Sequence, residues 1–236
     1  MQPTTTTVGV LALQGGFAEH IVLVRKAAAQ LADSFPTAIE AIEVRTPAEL
    51  ARCDALIIPG GESTTISFVA AQSGLLEPLR EFVKVLKKPT WGTCAGLILL
   101  SEQANATKQG GQALIGGLDV RVHRNHFGRQ TESFAAPLDL PFLPDAAARP
   151  FEGVFIRAPV VEAVLDGAVT VVATLPDRVN KVRPRAGVVS EARVTDNAGD
   201  IVAVRQGNVL GTSFHPELTP DARMHAWFLQ EFVRNK

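Results

Sequence analysis

Two cysteines in 236 residues, Cys53 and Cys94, are too few for a disulfide scaffold or a four-cysteine zinc site. A surplus of either charge is missing too: 23 Lys and Arg against 24 Asp and Glu leave a formal net charge of −1. Nucleic-acid binders and polybasic membrane-surface proteins need excess positive charge to neutralise phosphates, so both partner classes are excluded. No run approaches the ~18 consecutive apolar residues that mark a membrane span. The opening residues 1–7 lack the charged region and apolar core of a signal peptide. Together with the sparse cysteines this predicts a cytoplasmic protein whose thiols stay reduced. Neither G-x-x-x-x-G-K-[ST] nor G-x-G-x-x-G occurs, so nucleotide binding has no support. Internal repeats, low-complexity tracts and interdomain linkers are absent as well.

What is present is apolar. With 46% hydrophobic and 20% charged residues the chain buries a core, and its length allows one large α/β domain or two small ones. The first half alternates two periods. Val8 to Leu13 is a short apolar run stopped by Gln14-Gly-Gly16, which reads as a strand buried on both faces. Residues 17–32 read as a helix and 38–44 as a second strand. Thr46-Pro47 has the form of an N-cap followed by proline at N1, opening a short helix with Glu49 and Leu50. Residues 54–59 form a third strand ending in Pro59-Gly-Gly61, helical patches follow at 64–72 and 75–87, and residues 89–93 are a fourth strand running into Cys94. Strand and helix alternating, with glycine at the strand ends, predict a mostly parallel, doubly wound central sheet flanked by helices, a flavodoxin-like three-layer α/β fold.

The second half is richer in strands, at about 119–123, 153–157, 168–174, 187–194, 201–205 and 209–213. A last helix is expected from Thr219-Pro220, again an N-cap and N1 pair, to about Val233, with Met224, Phe228 and Phe232 as its packing face. The polar, basic stretch at residues 176–185 (Arg178, Lys181, Arg183, Arg185) reads as a solvated surface loop, with an anion-binding patch as the alternative.

Ligands in doubly wound sheets bind at the carboxyl ends of the strands. Those ends carry Gln14-Gly-Gly16, Gly60-Gly-Glu-Ser63 and Gly92-Thr-Cys-Ala-Gly96. The last has the G-x-nucleophile-x-G form of a nucleophile elbow, with Cys in place of Ser. It puts Cys94 in a tight strand-to-helix turn, where the helix N-terminus favours thiolate and the Ala95 amide faces a developing oxyanion. A buried structural cysteine is the alternative, and it is the reading for Cys53. Of five histidines, His215 in Gly211-Thr-Ser-Phe-His-Pro-Glu217 follows a short strand, with Pro216 fixing the turn. Glu217 can turn back to hold one ring nitrogen while the other faces the thiol, which gives a triad in the order Cys94, His215, Glu217. His20 and His225 sit in helices. His123 and His126 lack a third ligand nearby, so no metal site is read there. Gly60-Gly61 suits the second half of an oxyanion hole, and Glu62 could hold an ammonium group. Because nucleophile and base come from opposite halves and must meet, residues 1–236 are expected to form one domain, its ordered core at about 8–233.

Leu13-Gln-Gly15, Pro59-Gly-Gly-Glu-Ser-Thr64, Gly92-Thr-Cys-Ala-Gly-Leu97 and Ser213-Phe-His-Pro-Glu217 together resemble the triad-type (class I) glutamine amidotransferases. Arg124-Asn-His-Phe-Gly-Arg-Gln130 and Gly153-Val-Phe-Ile-Arg-Ala-Pro159 narrow the resemblance to the glutaminase subunit of pyridoxal 5′-phosphate synthase, from Val8 to about Val233. It implies hydrolysis of L-glutamine to glutamate and ammonia through a cysteine thioester, with no cofactor and no metal. Carried over by motif, Cys94 is the nucleophile, His215 the acid and base, and Glu217 its orienting partner. Gly61 and Ala95 supply oxyanion N–H groups. Gly60, Gly61, Glu62, Ser63, Arg124, Ile156 and Arg157 line the glutamine site, and Gln14 faces the partner. That partner is a synthase subunit which uses the ammonia to build the vitamin B6 cofactor from ribose 5-phosphate and glyceraldehyde 3-phosphate, and which activates a weak or silent free glutaminase. Two departures stand out: His126 replaces a small polar residue, and residues 176–197 look like a surface insertion. On the residues alone, a cysteine peptidase or DJ-1-like thiol hydrolase and a non-enzymatic binding module stay open beside this reading.

Overall fold

The structure is a computed structural model that describes residues 5–33, 37–105, 112–124, 126, 133–175 and 199–234. Thr5–Leu11 (β1) ends in five consecutive buried residues, as a strand covered on both faces must. It pairs in parallel with Ala38–Val44 (β2) on one side and with Ala55–Ile58 (β3) on the other. Thr90–Thr93 (β4) follows β3, and Val209–Thr212 (β12), from near the end of the chain, lies in parallel beside β4. Beyond β12 the sheet turns antiparallel through Asp200–Gln206 (β11), Val160–Val164 (β9) and Leu118–His123 (β6), and finishes with Ser101–Asn105 (β5) parallel to β6. Thr170–Leu175 (β10) branches off β11, which brings the sheet to ten strands, and Phe134–Leu138 (β7) pairs with Phe151–Phe155 (β8) in a separate ribbon.

Alternation along the strands sorts the core into two layers. Ala55 and Ile57 face Phe17–Gln30 (α1) and Arg223–Phe228 (α6), while Leu56 and Ile58 face the opposite layer. That layer holds Pro47–Ala51 (α2), Ser63–Gln72 (α3), Leu76–Arg80 (α4) and Ala95–Leu100 (α5). The result is a mixed, mostly parallel α/β three-layer fold. Its β2-β1-β3-β4 order reverses at β1, so a crevice opens between the carboxyl ends of β1 and β3.

The start of α2 follows its sequence signals: the Thr46 side chain accepts from the Glu49 N–H and the Glu49 carboxylate accepts from the Thr46 N–H, a complete capping box. The last helix departs from expectation. Thr219 closes the short turn before it, its hydroxyl donating to the Pro216 carbonyl and accepting from the Asp221 N–H. Asp221 then accepts from the Arg223 N–H, and the helix begins at Arg223 rather than at Pro220. Its last turns, Leu229–Val233, widen to a π-helix. Met224, Phe228 and Phe232 are buried as expected. Strands β5, β7 and β9 were not anticipated. The strand expected at 187–194, the basic loop and the insertion at 176–197 lie outside the described residues.

Candidate active site

The crevice is built from the strand ends upward. Strand β4 is buried throughout, and the chain turns directly from it into α5 at Cys94, whose φ of 47° and ψ of −99° lie in a region that side-chain-bearing residues rarely occupy. The Cys94 N–H donates to the Thr212 carbonyl at 2.7 Å, which pins the elbow to β12. Cys94 is itself the N-cap residue of α5, so its sulfur sits where the first helical N–H groups, that of Ala95 foremost, are unspent. The thiol lies 4.0 Å from the Ile156 carbonyl, toward which it donates.

Three residues past β12, His215 is held by its backbone N–H on the Val154 carbonyl of β8 at 2.8 Å. Pro216–Leu218 then makes one 3₁₀ turn, with proline at its first position. That single turn swings Glu217 back so that His215 Nδ1–H donates to Glu217 Oε1 at 2.7 Å. Both residues are buried. Burial opposes charge on His215, but hydrogen bonds to Cys94 and Glu217 and their negative charge prevail and raise its pKa to about 10. Burial likewise opposes charge on Glu217; the neighbouring His20 and the hydrogen bond from His215 overcome it and hold the carboxyl well below the usual range. Cys53 is the opposite case: burial pushes its thiol up to about 11, and its S–H is spent on the Glu49 carbonyl.

Across the crevice, Gly60 is packed so closely that a Cβ there would run into the His215 ring and approach the Cys94 Cβ at 3.3 Å. Only glycine fits. The Gly60 carbonyl accepts from the Gly16 N–H at 3.1 Å and the Gln14 side-chain carbonyl accepts from the Glu62 N–H at 2.8 Å. The loop at 60–62 is thus tied at two points to the loop after β1. Glu62 draws two guanidinium groups together: Arg124 Nη2 lies 3.3 Å from Oε1 and Arg157 Nη2 lies 3.2 Å from Oε2. Arg157 also has a positive φ of 45°, and its exposed side chain overhangs the site. The Ser63 hydroxyl donates to the Gln112 side-chain carbonyl at 3.1 Å.

The triad, the oxyanion glycine and alanine, Gln14 and the residues expected around glutamine therefore lie at or beside one crevice, supplied by β1, β3, β4, β6, β8 and β12 and the turns after them. Two neighbours were missed. His20 of α1 and His225 of α6, both fully buried, stand behind Glu217. The signal for His20 was in the pattern: with Leu23, Val24 and Ala27 it completes the i, i+3, i+4, i+7 apolar face of the helix that follows the Gln14 loop. A histidine on such a face needs polar partners in the core. His126 pairs at 3.3 Å with Asp200, away from this constellation.

Chemically, the arrangement offers a thiol at a helix N-terminus, an imidazole whose pKa is raised by that thiol and by a buried carboxylate, and a mixed-charge rim of one carboxylate and two guanidiniums. Residues 10–234 match the SNO glutamine amidotransferase family. The chain is 47% identical over 230 residues, 95% of its length and 85% of the relative's, to the probable pyridoxal 5′-phosphate synthase subunit PDX2 of Arabidopsis thaliana. It is 45% identical over 233 residues, 98% of its length and 96% of the relative's, to the pyridoxal 5′-phosphate synthase subunit PdxT of Streptomyces avermitilis. A crystal structure of a glutamine amidotransferase superimposes with a TM-score of 0.70 at 41% identity, covering 94% of this chain and 97% of the other.

Proposed function

The chain belongs to the SNO glutamine amidotransferase family, and from that premise we propose how its residues work as the glutaminase subunit of pyridoxal 5′-phosphate synthase. The Cys94 thiolate attacks the side-chain amide carbon of L-glutamine. The oxyanion that forms is met by the N–H groups of Ala95 and Gly61. His215, as imidazolium, gives its proton to the departing nitrogen, so ammonia leaves and a γ-glutamyl thioester remains. Neutral His215 then takes a proton from water, whose oxygen attacks the thioester. Collapse of that second adduct expels the thiolate, and glutamate is released. Glu217 holds His215 in the tautomer and orientation both steps need.

Gly60, Gly61, Glu62, Ser63, Arg124, Ile156 and Arg157 line the glutamine site. Glu62 takes the α-ammonium and the two arginines the α-carboxylate by charge-assisted hydrogen bonds. The observation that carries this reading is the convergence of Cys94, His215 and Glu217 from distant parts of the chain, with the 2.7 Å bond between the last two. Ammonia passes to a synthase subunit that builds the cofactor from ribose 5-phosphate and glyceraldehyde 3-phosphate. Gln14, joined to the loop that holds Gly61 through the Glu62 N–H, faces that partner and couples its arrival to the oxyanion loop. We place the chain in the cytoplasm, where a free catalytic thiol is kept reduced.

The test is a glutaminase assay with and without the synthase subunit. The free chain is expected to turn over slowly, the complex faster, and C94A not at all in either state. Glutamine turnover by the C94A complex at the wild-type rate would overturn the assignment.

A further inference from the structure

Behind the site runs a buried chain of polar groups that the hydrolysis scheme above does not use. Glu217 Oε1 is satisfied by His215. Glu217 Oε2 is buried without a well-formed hydrogen bond among the described residues, and His20 Nε2 lies 3.3 Å from it. The same nitrogen lies 3.3 Å from Thr93 Oγ1 on β4. His20 Nδ1 shares a 2.9 Å hydrogen bond with His225 Nε2, and His225 Nδ1 is buried with no partner among the described residues. The groups facing His20 are thus Thr93 and the edge-on Trp91 ring from β4, His225 from α6, and Glu217 from the turn after β12.

These contacts fix where the protons sit. A bare Nε2 on His20 would set its lone pair against a carboxylate oxygen in a dry core, so Nε2 carries the proton. Its hydrogen bonds Thr93 Oγ1, and Glu217 Oε2 is a second acceptor at the same 3.3 Å distance. On His225 the partnerless Nδ1 is either a bare acceptor or an N–H, and an orphaned buried N–H is the costlier of the two. His225 therefore carries its proton on Nε2 and donates it to His20 Nδ1. Full burial keeps His225 neutral, which this arrangement requires.

Resting on the glutaminase reading, we propose that His20 is a positioning residue for the reaction. Its Nε2–H anchors the second carboxylate oxygen of Glu217, and His225 fixes the His20 tautomer that makes this possible. The carboxylate is thereby held from both ends and cannot rotate away from His215. It is the same logic by which an orienting partner one step removed from the chemistry sustains activity.

Glutamine hydrolysis by the complex with the synthase subunit tests this, with H20M, which has no donor, compared with H20Q, whose amide N–H reaches the place of Nε2. Loss of the anchor is expected to lower kcat about 10–100-fold with KM for glutamine little changed. H20Q is expected to restore most of the loss. Equal loss in H20M and H20Q, or wild-type kcat in H20M, would overturn the proposal. Nitrogen-15 spectra of the histidine rings give a reading that needs no turnover and serves if H20M does not fold. They are expected to show protonated Nε2 and bare Nδ1 on both His20 and His225, and the reverse tautomer on either sinks the scheme. A wild-type complex without glutaminase activity would instead refute the functional reading, whatever the spectra show.

Discussion

At the residue scale the molecule separates two thiols by their surroundings. Cys53 is a packing residue with its proton held by burial, whereas Cys94 faces an imidazole that its own charge helps to keep protonated. The consequence is measurable. His215 has a folded-state pKa of about 10 against an ordinary 6.5, so its contribution to stability is complete below about 6.5 and fades as pH rises through about 10. In C94A the burial that opposes the charge remains and only Glu217 still favours it. The His215 ring-proton titration followed by NMR is therefore expected to fall to a lower midpoint in C94A, and identical midpoints in the two proteins would contradict the pairing. The reactive residues were legible in the sequence because glycine and proline frame them: Cys94 lies between Gly92 and Gly96, and His215 precedes Pro216. His20 and His225 have no such frame. The helical period marks His20 as a core residue, but its pairing with His225 comes from the packing of α1 against α6.

At the scale of elements, the elbow between β4 and α5 is where geometry is most tightly constrained. A Cβ on Gly96 would overlap the carbonyl oxygen of Ile58, a backbone atom of the neighbouring strand that cannot swing aside. G96A is expected to cost about 1–3 kcal/mol in denaturant unfolding, as overpacking does. An unchanged unfolding midpoint would show that the helix can lift away from β3. The parallel half of the sheet was readable from its alternation with helices, and β2 spans the very residues 38–44 that the pattern marks. The missed strands share a physical cause. Ser101–Asn105 is a polar edge strand, Phe134–Leu138 contains Pro137 in a two-stranded ribbon, and Val160–Val164 is only partly buried. Edge and ribbon strands escape the apolar signature of a strand covered on both faces. The shifted start of α6 has another cause: a threonine can serve the turn before a helix as readily as the helix itself, and here the hydroxyl of Thr219 serves the turn.

For the whole molecule, the two core layers share one sheet, with Cys53 in one layer and Trp91 in the other. Unfolding either layer strips a face from the same strands, so the chain is expected to unfold as one unit. In C94A, exposure of the Cys53 thiol to a chromogenic disulfide and loss of buried Trp91 fluorescence should share one denaturant midpoint. Separate midpoints would divide the chain into two domains. The place of β12 carries a further meaning. It is an interior strand, seated between β4 and β11, yet in the chain it comes long after β4 and only after β11. A chain leaving the ribosome N-terminus first exposes the open edge of β4 and carries Cys94 without its imidazole until β12 and His215 are made. The nucleophile is armed by the same insertion that closes the sheet, so an unfinished polypeptide holds a sulfhydryl with no partner to deprotonate it.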